Sequence, residues 1–92
     1  MTLEEFAKTK LSIRGMNVVM SISKEGIWFT KDKISFRMKP TYDANIFDVF
    51  KHLSKESLAW QVPNCGKVTA NEIATALEKE GFLNWRIRYD TR

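Results

Sequence analysis

Residues 10–39 read KLSIRGMNVVMSISKEGIWFTKDKISFRMK, and this stretch decides the fold. Apolar side chains recur at every second position along most of it. Leu11 and Ile13 alternate with Ser12 and Arg14, and Val18, Met20 and Ile22 alternate with Val19, Ser21 and Ser23. Ile27 and Phe29 then alternate with Trp28 and Thr30, and Ile34, Phe36 and Met38 with Ser35, Arg37 and Lys39. A period of two predicts half-buried strands. Two-residue turns at Gly15-Met16 and Glu25-Gly26, with a third at Lys31-Asp32 or Asp32-Lys33, keep the apolar residues on one face in every pairing.

Outward from this stretch the pattern becomes helical. Thr2 and Glu5 form a capping-box pair ahead of Leu3, Phe6 and Ala7, which predicts a short N-terminal helix. Asp43 is placed to cap a helix over about residues 44–54, where Ile46, Val49, Phe50 and Leu53 make one stripe. Leu58 to Val62 reads as a helical tail or a short strand. Thr69 and Glu72 suggest a second capping box, and Gly81 a helix stop. Trp85, Ile87 and Tyr89 alternate with Arg86 and Arg88, as in a last strand.

The expected fold is therefore α+β. It has a four-stranded antiparallel β-meander over about residues 10–39, helices packed on one face, a short N-terminal helix and a C-terminal strand. The chain has 92 residues and no linker-like tract or internal repeat, so one domain over residues 1–92 is expected. Its layout is similar to that of single-strand-binding transcription coactivators, although it carries none of their signature residues.

Composition narrows the chemistry. Cys65 is the only cysteine and His52 the only histidine, too few for a disulfide framework or a zinc site. No nucleophile–base spacing stands out, so an enzyme is not expected, nor is a cofactor. The Thr2-Leu3-Glu4-Glu5 start lacks the basic and apolar regions of a signal peptide. No apolar run is long enough to span a bilayer, and the cytoplasm is the expected compartment.

Charge gives the functional expectation. Fifteen Lys and Arg face 11 Asp and Glu. In the meander register one sheet face collects Lys10, Arg14, Trp28, Lys33, Arg37 and Lys39 among Ser and Thr hydroxyls, without a carboxylate. Arg86 and Arg88 join it if the last strand extends that sheet. Cations neutralise phosphates, and an aromatic ring can stack on a base. A sheet is too broad for the duplex major groove, so RNA or single-stranded DNA is the expected partner of a small regulator. A solvated sheet face shows the same polarity with no ligand at all. The alternative function is a protein-binding inhibitor or adaptor of viral or mobile-element type, acting through exposed Trp, Tyr and Arg. Either protein could be a monomer or a homodimer.

Overall fold

The computed structural model describes residues 1–82. In chain order it contains α1 (Leu3–Lys10), α2 (Ile13–Glu25), β1 (Ile27–Lys31), β2 (Ile34–Met38), α3 (Ile46–Phe50), α4 (Lys55–Gln61) and α5 (Lys67–Lys79). The class is α+β, but the sheet is a single two-stranded hairpin. The four-stranded meander is wrong in its first half.

Residues 13–25 form a helix for reasons present in the sequence. Gly15, Val18, Val19 and Ile22 stand at i, i+3, i+4 and i+7, and all four are buried. Alternation accounts for Val18 and Ile22 but leaves Val19 on the polar face, whereas the helical stripe buries all of them. Ser12 starts the helix, its Oγ accepting from the Gly15 N–H at 3.2 Å. Gly26 ends it at φ +80, with its N–H donating to the Ile22 carbonyl. Gly15 is thus not a turn residue. It allows a close approach by α5, since a Cβ there would lie 2.6 Å from Glu72 Oε1.

The hairpin keeps the expected alternation. Phe29 pairs with Phe36 and Lys31 with Ile34, so the turn is Asp32-Lys33, one of the two positions the pattern allowed. Both turn residues have positive φ, +54 and +67, which suits the right-handed twist of the flanking strands.

Two further expectations need correction, and one open reading is resolved. Asn45, not Asp43, caps α3, accepting from the Phe47 N–H, and α3 is only one short turn of helix. Residues 55–61 are helical, settling the ambiguity around Leu58. Thr69 does not cap α5, which begins at Lys67 with no side-chain cap. Thr69 is buried, and Glu72 bonds Ser12 instead. The Thr2–Glu5 capping box does form. The proposed C-terminal strand, with Arg86 and Arg88, lies outside the described residues.

The core lies among the helices and under β1. Leu3, Phe6, Val19, Ile22, Ile27, Ile46, Phe50, Leu58, Ile73 and Leu77 are all inaccessible or nearly so, and Phe6 meets Phe50 edge-on at 5.9 Å. A common plan also recurs within it. A short helix capped by Thr2 or Ser54 precedes a 13-residue helix, which is followed by Gly26 or Gly81 at positive φ. Val18, Val19 and Ile22 stand ahead of Gly26 as buried Ile73, Ala74 and Leu77 stand ahead of Gly81. Sequence identity between the halves is too slight to show this. The match is in burial.

Candidate nucleic-acid interface

With its apolar stripe turned inward, α2 presents Ile13, Arg14, Asn17 and Lys24 to solvent, with Ser21 half exposed. Arg14, Asn17, Ser21 and Lys24 are three or four residues apart and so lie along one side of the helix. The Ser21 hydroxyl donates to the Asn17 carbonyl at 2.9 Å, leaving the Arg14 and Asn17 side chains as the polar ends on that ridge. The hairpin follows α2 directly through Gly26, and its tip carries exposed Lys31 and Lys33.

The charge is concentrated here. From Lys8 to Lys39 the chain has eight cations and two acids, a balance of +6. The remaining residues hold seven cations and nine acids, a balance of −2. This stretch runs from the last turn of α1 through α2 and the hairpin, and the rest of the described chain carries more acids than cations.

The residues expected to bind are not on one sheet face. Lys10 is the last residue of α1, 3.8 Å from Glu80. Arg14 lies in the first turn of α2, and Lys33 at the hairpin tip. Lys39 is exposed just beyond β2. Trp28 is outward on β1 and 54% exposed, but its backbone is held by Gln61, whose side chain accepts from the Trp28 N–H at 2.8 Å and donates to its carbonyl at 2.6 Å. Arg37 has a structural role. Its guanidinium donates to the Glu25 carbonyl at 2.5 Å, satisfying an otherwise open group at the C-terminal end of α2. The acid-free surface is replaced by a helix ridge and a hairpin tip. Asn17, Lys24 and Lys31 belong to this surface although the alternating reading passed over them. A period of 3.6 across residues 13–25 brings the first two into line with Arg14.

Beside the ridge runs an open groove of about 1210 Å³ between α2 and the end of α4 with its loop to α5. Arg14, Asn17 and Ser21 line one wall, and Trp60, Gln61 and Asn64 the other. No Asp or Glu lines it. Trp60 is 86% exposed at its rim. Cys65 is also part of the lining, but its thiol is buried, which pushes its pKa above the ordinary value of 9.0. His52, half buried, stacks on Phe29 at 4.8 Å, and Phe29 in turn on Phe36 at 5.5 Å. It extends an aromatic stack under the hairpin. Among the described residues no cluster of His, Cys, Asp and Glu could hold a metal ion, and no helix is long and apolar enough to cross a membrane.

Comparison with protein families, curated proteins and solved structures finds no match. The functional reading rests on this chain's own chemistry.

Proposed function

We propose that the protein is a small nucleic-acid-binding regulator that lays α2 into the major groove of duplex DNA, with the hairpin tip reaching the adjacent backbone. The carrying observation is the polar ridge of α2, flanked by a consecutive stretch with a charge balance of +6. A single helix fits the major groove of B-DNA, whereas the deep, narrow major groove of A-form RNA excludes it. Arg is suited to the O6 and N7 acceptors of guanine and Asn to adenine. Lys24, Lys31 and Lys33 supply phosphate contacts, which carry affinity rather than sequence. The expectation of RNA or single-stranded DNA rests on a broad sheet, and a two-stranded hairpin gives no such surface.

Fluorescence anisotropy with a pool of random duplexes, matching single strands and duplex RNA, each at two salt concentrations, tests this. Duplex DNA is expected to bind tightest, with affinity falling steeply as salt rises. Arg14→Ala and Asn17→Ala are each expected to cost about 1–3 kcal/mol on a selected sequence and much less on random DNA. Equal binding of wild type and the Arg14→Ala variant to every duplex contradicts the reading.

One observation favours the second reading, a protein-binding inhibitor. Ile13 and Trp60 are 76% and 86% exposed, an unusual display of large apolar side chains lining the same groove, and Val68 on α5 is 80% exposed. Trp and neighbouring Arg are typical anchors of protein interfaces. If that reading holds, Trp60→Ala abolishes a stoichiometric protein complex and leaves duplex affinity unchanged.

A further inference from the structure

The two edges of the hairpin differ. On β1 the Gln61 side chain takes both the N–H and the C=O of Trp28, so these groups point away from β2. The pair Trp28–Arg37 is therefore a non-hydrogen-bonded pair of the ladder, and by alternation so is Thr30–Ser35. It follows that the backbone N–H and C=O of Ser35 and Arg37 point outward from β2. Among the described residues no backbone group bonds them on that side. Within β2 itself there is no proline or bulge, and the charge on Arg37 is drawn back to the Glu25 carbonyl.

We propose that a second copy of the chain pairs with this edge, β2 to β2, making a four-stranded antiparallel sheet about a two-fold axis at Phe36. Self-complementarity singles out this occupant. With Phe36 opposite its own counterpart, Ser35 of each copy exchanges both backbone bonds with Arg37 of the other, and Ile34 meets Met38. No like charges oppose each other within the strands. Phe36 and Ile34, 43% and 58% exposed in the single chain, gain apolar neighbours along the same face. The contact is isologous and closes, so it ends at a dimer. Lys33 of one copy approaches Lys39 of the other just beyond the strand ends, a repulsion that added salt screens. This inference uses the strand geometry alone and does not depend on nucleic-acid binding.

Sedimentation equilibrium without nucleic acid, up to millimolar protein, reads it directly. A monomer–dimer equilibrium that tightens as salt rises is expected. A single monomeric species at every concentration overturns it. Disulfide trapping tests the register in a Cys65→Ser background. Facing non-hydrogen-bonded positions have Cβ atoms about 4.5–5.5 Å apart, close to the span of a disulfide. Phe36→Cys should therefore cross-link under mild oxidation, whereas Ser35→Cys, which faces position 37, should stay uncross-linked. Equal cross-linking of the two overturns the register. Ser35→Pro removes an outward N–H that the hairpin does not use. It should leave the circular dichroism unchanged and the protein monomeric, and a persisting dimer contradicts the proposal.

Discussion

Gly26 joins α2 to β1 at φ +80 and ψ 170, a backbone region open essentially to glycine alone. A Cβ there would also lie 3.0 Å from Arg37 Nε and 3.2 Å from the Met38 carbonyl. Gly26→Ala is expected to destabilise the protein by about 1–3 kcal/mol, read from the urea midpoint. The same residue shows how part of the fold was legible. A Gly between an apolar run and an alternating one fits a helix stop as well as a hairpin turn, and only the burial of Val19 separates the two. Cys65 gives a prediction of another kind. Burial raises its pKa above 9.0, so the folded state holds the thiol proton more tightly than the unfolded state does. The associated stability is fully present below the unfolded thiol's pKa and is lost as pH rises through the folded one. Thiol labelling of the native protein at pH 8 should be slower than that of the urea-unfolded chain. The urea midpoint should fall above pH 9 by more than in Cys65→Ala.

At the scale of elements, α2 was misread because two periods overlap in one sequence. Ile13, Val18, Met20 and Ile22 satisfy much of an alternation, yet Gly15, Val18, Val19 and Ile22 satisfy the helix fully. The helix also has a Ser at its start and a Gly at its end. The hairpin was legible because Ile27 to Met38 has no competing helical stripe. Its turn is strained, however, since Lys33 stands at φ +67 where glycine is preferred. Lys33→Gly is expected to raise stability by about 0.5–1 kcal/mol through relief of this left-handed conformation. The same change should weaken duplex binding on all sequences and lower the salt slope by about one. Thermal unfolding and a salt titration on the same variant check both, and the opposite signs separate a strained turn from a damaged fold. The site was less legible than the hairpin. Lys33 and Arg14 were identifiable as exposed cations, but the role of Arg37 depends on a contact with Glu25 twelve residues away, which no local pattern encodes.

Across the whole molecule, two units of similar plan carry different charge. The unit of α1, α2 and the hairpin is cationic and presents a polar ridge, while the part holding α4 and α5 carries much of the acid. Glu72 of α5 ties the two together, accepting from the Ser12 N–H and from its hydroxyl, both at 2.8 Å. The net charge of +4 conceals this division. The binding account therefore requires a ligand footprint on one unit only. Amide chemical-shift mapping of the labelled protein during titration with duplex DNA tests this most directly. The expected shifts cluster on residues 10–25 and 30–34, and the exposed face of α5 stays silent. A footprint centred on α5, or on Trp60 and Val68 with α2 unmoved, contradicts it.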